Sequence, residues 1–162
     1  MDIGLVNNDG SFKLRSSGVI VKDGKMLVAR SRKFDGYVFF GGHIMLGENS
    51  RTAIVREAIE ELGFDVEISK LICVNENIFI NEVNALAHEI AFYYLLDPVG
   101  DVPEQDFEYV EHEDGNKFVH KYKWIDVCDA AKYDVRPKWL VDMIIDGKEN
   151  FYYLSDQVNH YE

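Results

Sequence analysis

Three glutamates in the middle of the chain have the spacing of a metal-binding carboxylate cluster. Glu57, Glu60 and Glu61 stand at positions i, i+3 and i+4, so a helix would place their side chains on one face. Like charges so arranged destabilise an isolated helix, and a bound cation would offset the repulsion. Hard divalent cations such as Mg²⁺ prefer oxygen ligands and commonly join one or two carboxylates to substrate phosphates. Arg56, the residue before Glu57, could orient one of the carboxylates.

Two glycines precede this predicted helix. Gly41 and Gly42 follow the short aromatic segment Tyr37 to Phe40 and open the loop that leads to the helix. Glycine lets a backbone approach a ligand closely, so an exposed carbonyl here could join the shell of a cation. Taken alone, however, the Glu-x-x-Glu-Glu pattern is far more typical of a solvated acidic helix face.

The wider spacing is far more specific than the three glutamates alone. Seven positions fit one preset pattern: Gly42, Glu48, Arg56, Glu57, Glu60, Glu61 and Gly63. A chance match somewhere in the chain is on the order of one in 10⁶ if each residue type has an average usage of about 6%. The pattern resembles the Nudix box, which here covers Gly42 to Phe64. Ala58 and Phe64 replace the usual aliphatic residues and are interpreted as packing variants. Phe40 stands where many members have proline, a difference that affects no catalytic group.

The resemblance implies residue roles inside the box. Glu57, Glu60 and Glu61 would bind one or more Mg²⁺ or Mn²⁺ ions, and one of them would serve as the base. The carbonyl of Gly42 or Gly41 would complete the shell. Arg56 would orient a catalytic carboxylate, and Glu48 would support the loop by pairing with Arg56. Members of the family often use one more acidic residue, on the loop before a late strand. The candidates here are Glu108, Glu111 and Glu113. We include Glu111 among the expected metal ligands and keep Glu113 as the alternative.

The resemblance also implies a fold and a reaction. The fold would be an α/β/α sandwich with a mixed β-sheet. The reaction would be metal-dependent hydrolysis of a pyrophosphate bond in a nucleoside diphosphate linked to another group. Water would attack one phosphorus atom, and the other phosphoryl group would leave. The sequence carries none of the additional motifs associated with NADH, ADP-ribose or dinucleoside polyphosphates, which favours nucleoside triphosphates and sugar nucleotides as substrates.

A basic and aromatic cluster precedes the box. Arg30, Arg32 and Lys33 could bind the distal phosphate or the leaving group, or could form an ordinary basic surface. Tyr37 could stack on a base, as could Phe39 and Phe79, although aromatic residues in strands usually belong to the core. Among the histidines, His43 could reach the substrate or make a structural hydrogen bond, whereas His88 and His120 are interpreted as structural.

The predicted helices and strands follow from the spacing of apolar residues and from the residues that commonly begin or end such elements. Asn49 or Ser50 caps the central helix, Gly63 ends it, and Ile54, Ala58 and Leu62 form its apolar stripe. A second helix is predicted from Pro137 to Ile145, and an acidic loop over residues 97 to 116. The predicted strands cover residues 17–21, 25–30, 37–40, 64–68, 71–74, 78–80, 88–96 and 118–125.

Composition limits the classes of protein that remain. The 162 residues suit a single domain over residues 1–162, and 47% apolar residues argue against disorder. The formal net charge of -12 disfavours binding to a nucleic-acid polymer, although a divalent cation would still let carboxylates bind a polyphosphate. No secretion signal or membrane-spanning run is recognisable, so a cytoplasmic location without membrane attachment is expected. The aromatic-rich strands could form a homodimer face.

Three alternatives remain open from the sequence. A catalytically silent Nudix-like domain could sense a nucleotide, although a sensor has no need of the intact Glu57, Glu60 and Glu61. An isomerase on the same scaffold would convert its substrate without releasing phosphate. An unrelated acidic interaction module would require the whole spacing to be a coincidence.

Overall fold

A computed structural model describes residues 1–81, 83–113 and 115–147, and the backbone of residues 151–160; the side chain of Glu113 lies outside the described part. The first half contains β1 (Gly4–Asn7), β2 (Gly10–Lys22), β3 (Lys25–Arg30), β4 (Tyr37–Val38), β5 (Gly41–His43), α1 (Ser50–Glu57) and a π-helical turn (Ala58–Leu62). The second half contains β6 (Asp65–Ile80), β7 (Leu86–Val99), β8 (Phe107–Glu113), β9 (Asn116–Asp126), a 3₁₀ turn (Val127–Lys132), β10 (Val135–Arg136), α2 (Lys138–Ile145) and β11 (Phe151–His160).

The strands form a mixed sheet, as predicted. Strand β2 is parallel to β7, in a register that runs from Gly10 opposite Leu86 to Ile20 opposite Leu96, and β7 is antiparallel to β6. On its other side β2 meets β3 only at the hairpin end, where Val21 is opposite Met26. Strand β3 pairs with β9, and β9 pairs with β8. Beyond this hairpin end β2 and β3 are therefore not paired with each other, and the short strand β5 pairs with β2 instead.

The two helices cover opposite faces of this sheet. Ile54 of α1 and Leu62 of the π-turn pack on one face with Ile20 and Leu96, and all four are at most 2% exposed. Leu140 and Val141 of α2 pack on the other face, against a cluster that includes Val19, Cys73 and Tyr93. The architecture is the expected α/β/α sandwich. Within the described residues, no helix is long and apolar enough to cross a membrane.

Several predicted element boundaries were wrong. Strand β2 begins at Gly10 rather than Ser17, and the three segments predicted over residues 64–80 form the single strand β6, interrupted only by register shifts. The predicted acidic loop over residues 97–116 contains the end of β7 and all of β8. These strands carry polar side chains where they face a cleft rather than the core, which hides the apolar alternation on which strand prediction depends.

Candidate active site

The helix that carries the three glutamates is built from local signals. The Asn49 side chain accepts a hydrogen bond from the Thr52 amide (3.0 Å), so Asn49 rather than Ser50 is the N-cap. Gly63 ends the helix with a φ of 78°, a left-handed conformation that glycine adopts readily. The predicted apolar stripe of Ile54, Ala58 and Leu62 is buried.

Removing the N-cap is expected to weaken this helix measurably. Asn49→Ala should lower the free energy of unfolding by about 1 kcal/mol, because the Thr52 amide loses its acceptor at the helix start. Denaturant titration followed by circular dichroism would measure the change. Asn49→Ser restores a capping oxygen and should recover most of the stability; equal loss in both variants would contradict the capping role.

The last turn of the helix is π-helical, which the sequence did not indicate. The Gly63 amide donates to the Ala58 carbonyl, five residues back, at 3.2 Å. The wider turn separates the three carboxylates: Glu57 is buried (8% exposed), Glu61 is half-buried, and Glu60 is exposed. Interruptions of this kind are frequent at functional sites. The predicted shared face is therefore divided, with two carboxylates directed inward.

Arg56 joins the helix to the preceding loop. Its guanidinium donates to both Glu48 carboxylate oxygens (3.0 Å each), to Glu57 and Glu60 (2.7 Å each), and to the His43 carbonyl (3.0 Å). The hydrogen bonds from Arg56 lower the pKa of Glu48. The expected pairing of Glu48 with Arg56 is confirmed, and this network fixes the position of the Gly41–His43 strand relative to the helix.

Negatively charged side chains gather behind this network. Burial, together with the negative charge of Glu57, raises the pKa of Glu61 to about 7, although the Gly41 amide donates to Glu61 (3.2 Å) and partly opposes the shift. Burial likewise raises the pKa of Glu57, against the opposing effect of Arg56. Glu111 adds further repulsion to Glu61. The inner end of the site is thus an anionic cluster, where a cation would be stabilised.

Strand β8 decides which acidic residue outside the box approaches that cluster. Phe107, Tyr109 and Glu111 alternate along the strand; the first two pack against the core next to α1, and Glu111 lies on the same side. Glu108 has the opposite orientation and pairs with Lys121 at the surface (2.9 Å). A Glu111 carboxylate oxygen accepts a hydrogen bond from Nε2 of His120 at 2.8 Å. Glu113 was the alternative, and its side chain lies outside the described residues.

The buried residues around Glu111 contain further polar groups. Tyr122 is 3% exposed, and its hydroxyl has no hydrogen-bond partner in the part of the chain that the structure describes. Burial and the nearby charges of Glu61 and Glu111 raise the pKa of this phenol. The His120 ring stacks on Tyr122, with centroids 6.2 Å apart. His120 was interpreted as structural; it makes these two contacts and also lines the cleft.

The oxygen-only donor set fits a hard divalent cation. Residues Glu57, Glu61 and Glu111 supply carboxylates, and Gly42 packs so closely on Glu57 that a Cβ atom at Gly42 would lie 2.3 Å from a Glu57 carboxylate oxygen. Arg56 meanwhile bridges Glu57 and Glu60. In this arrangement no three Asp, Glu, His or Cys side chains of the described residues are gathered closely enough to chelate an ion by themselves. Backbone and substrate oxygens would have to complete the shell.

A cleft of about 1370 Å³ extends from these carboxylates across the sheet. Arg30, Arg32 and Lys33 line it, together with His43 and Phe79. Tyr37 is not in the described lining; it packs under the Arg30 guanidinium (5.4 Å to the ring centroid) and against Tyr133. Arg30 also forms an ion pair with Asp35. The three predicted basic residues therefore lie together at one wall of the cleft, and Tyr37 packs against Arg30 outside the lining.

Arg15 is a site residue that the sequence prediction missed. It lies on β2, donates to the Gly41 carbonyl (3.0 Å), and lines the cleft beside Glu89 (3.7 Å). This side chain therefore holds the Gly41 carbonyl at the cleft, whereas Gly42 is opposite Ser16 in the pairing of β5 with β2. The alternating polar residues Ser11, Lys13, Arg15 and Ser17 were the signal available in the sequence, since a polar stripe on a buried strand marks a face that borders a cavity.

Comparisons with known proteins agree with this geometry. The NUDIX domain family model matches residues 13–143. A mutator MutT protein from Bacillus halodurans has 16% identity, with 92% of this chain and 90% of that chain covered and a TM-score of 0.64. The E. coli ORF135 protein has 23% identity, with 83% and 89% covered and a TM-score of 0.58. A UDP-X diphosphatase has 16% identity, with 88% and 66% covered and a TM-score of 0.59.

No curated protein matches the chain. The solved structures show the shared fold, and the family model spans most of the chain, including all of the glutamate motif. The chain therefore belongs to the Nudix family of pyrophosphohydrolases.

Proposed function

We propose that this protein hydrolyses the pyrophosphate bond of a nucleoside diphosphate linked to another group, with a nucleoside triphosphate or a sugar nucleotide as the favoured substrate. The observation that carries the proposal is the cluster of buried and half-buried carboxylates Glu57, Glu61 and Glu111 in a cleft with one basic wall. One structural neighbour is described as a UDP-X diphosphatase, which is consistent with a nucleoside diphosphate linked to another group.

The proposed metal site uses this cluster together with the exposed Glu60 and a backbone carbonyl. Glu57, Glu60, Glu61 and Glu111, with the Gly42 carbonyl, would hold Mg²⁺ or Mn²⁺. When bound, the cation would supply Lewis acidity and neutralise charge on the diphosphate. Arg56 keeps Glu57 and Glu60 in place through its two 2.7 Å contacts.

The remaining groups would bind substrate and move protons. A glutamate of the cluster accepts a proton as water attacks one phosphorus atom, and the bond from that phosphorus to the bridging oxygen breaks. The second phosphoryl group leaves with the bridging oxygen. Arg30, Arg32 and Lys33 would bind the phosphate farther from the attack, and Tyr37 would support them by holding Arg30 through its ring.

A hydrolysis screen tests the proposal. Purified protein with Mg²⁺ or Mn²⁺ would be incubated with nucleoside triphosphates, sugar nucleotides, dinucleotides and ADP-ribose, with phosphate release measured through a coupled phosphatase and EDTA as control. We expect EDTA-sensitive cleavage of one group. Nucleotide binding without turnover across the panel would favour the sensor alternative instead. The single domain over residues 1–162, the cytoplasmic location and the homodimer expected from the sequence stay predictions.

A further inference from the structure

The floor of the cleft is one face of the sheet formed by β2, β7 and β6. Arg15, Ala91 and Asn75 lie side by side in one row across these strands. Lys13, Glu89 and Asn77 form the next row. Because adjacent strands are about 4.8 Å apart, Asn75 lies about 10 Å from Arg15 across the small side chain of Ala91. The floor is therefore polar, and it leads away from the carboxylates.

Asn75 is a buried polar residue on this floor. Its side chain lines the cleft, yet the residue is only 4% exposed. Its Oδ1 has no hydrogen-bond partner among the described residues. Burying an unpaired acceptor destabilises a fold, and nearly all buried polar groups in native proteins have partners. A ligand that donates a hydrogen bond in the cleft would explain why an asparagine occupies this position.

Aromatic side chains line the cleft together with Asn75, as a flat aromatic ligand would require. Phe79, Tyr93 and Trp139 also line this part of the cleft, with the rings of Tyr93 and Trp139 in edge-to-face contact at 5.6 Å. Aromatic side chains stack on nucleobases, and carboxamides pair with their edges through one donor and one acceptor. Rotation of the Asn75 carboxamide exchanges the positions of its oxygen and nitrogen in nearly the same space. The side chain can therefore present either a hydrogen-bond acceptor or a donor to the cleft.

We propose that Asn75, with Asn77 in the adjacent row, binds the polar edge of the substrate's nucleobase and determines which base is accepted. The inference rests on the proposed function, because it assigns the base end of a substrate whose phosphates lie at the carboxylates. Arg15 stands between the two ends and would contact the phosphate nearest the nucleoside. The separation of about 10 Å between Arg15 and Asn75 is comparable to the length of a nucleoside monophosphate.

Binding of reaction products provides the test, since it needs no turnover. Calorimetric titrations in Mg²⁺ would compare AMP, GMP, CMP and UMP with ribose 5-phosphate, which has the same sugar and phosphate without a base. At least one nucleotide should bind ten-fold or more tightly than ribose 5-phosphate. Asn75→Ala should remove most of that preference and leave the affinity for ribose 5-phosphate within two-fold. Asn116→Ala, on the exposed start of β9 away from the cleft, is the matched control and should keep the preference.

A stability measurement distinguishes recognition from a structural role. Asn75→Leu removes the unpaired acceptor and keeps the branched shape of the side chain, so its melting temperature without ligand should stay close to that of the wild type while base preference is lost. The inference is overturned if all four nucleotides bind no better than ribose 5-phosphate, or if Asn75→Ala leaves their preference intact. Base-dependent binding with no hydrolysis would contradict the proposed function and support this inference. Hydrolysis without base preference would support the proposed function and contradict this inference.

Discussion

Glu61→Gln is expected to lower kcat/KM for the hydrolysed nucleotide on the order of 10³-fold, the equivalent of about 4 kcal/mol of transition-state stabilisation. The carboxamide keeps the shape of the carboxylate and can still accept the Gly41 amide hydrogen bond (3.2 Å). It removes a charge from the buried cluster with Glu57 and Glu111, where a cation would bind. Steady-state kinetics at saturating Mg²⁺ would measure the loss.

The control for this substitution is Glu108→Gln. Glu108 lies on the same strand as Glu111 but pairs with Lys121 at the surface, so kcat/KM should stay within two-fold of the wild type. Calorimetric titration with Mn²⁺ alone gives a second readout, in which Glu61→Gln should bind about 10- to 100-fold more weakly. Turnover within a few-fold of the wild type in Glu61→Gln would rule out its assignment as a ligand.

Arg56→Met is expected to lower the free energy of unfolding of the metal-free protein by about 3 kcal/mol. Breaking a buried ion pair costs roughly 3–5 kcal/mol when one charge stays behind, and the lower end applies because the Arg56 side chain remains 22% exposed. Methionine fills a similar volume but leaves Glu48 and the buried Glu57 without their donor. Urea unfolding followed by tryptophan fluorescence would measure the difference.

Arg51→Met provides the matched control on the same helix. Arg51 is exposed, and the substitution should change stability by no more than about 0.5 kcal/mol. A double-mutant cycle of Arg56→Met with Glu48→Gln should give a coupling energy of about 1–3 kcal/mol, since both oxygens of Glu48 accept from Arg56. A loss below 1 kcal/mol in Arg56→Met would show that the network orients side chains without stabilising the fold.

Glu111 was the residue chosen from the sequence as the acidic ligand outside the box, but its position beside Glu61 could not be derived from the sequence. Residues 97–116 are rich in Asp, Glu, Gly and Pro, which is typical of a loop, and the strand prediction failed there. Pairing with β9 makes β8 a strand, because Glu111 lies opposite Phe118 and Tyr109 lies opposite His120. Once the strand exists, alternation directs Glu111 inward and Glu108 outward. Here the pairing with β9 outweighs the low strand propensity of the local sequence.

The sequence by itself determined the Nudix box and the element that carries it. Asn49, Arg56 and Gly63 act on partners within about one to two helical turns or in the adjacent loop, so their physics is local and readable from spacing. Tertiary structure alone decided which distant side chains share the cleft. Arg15 reaches Gly41 across 26 residues, and Asn75 joins the same floor only because β6 and β2 both pair with β7. Strand pairing over such separations depends on the whole sheet, and no local pattern in the chain specifies it.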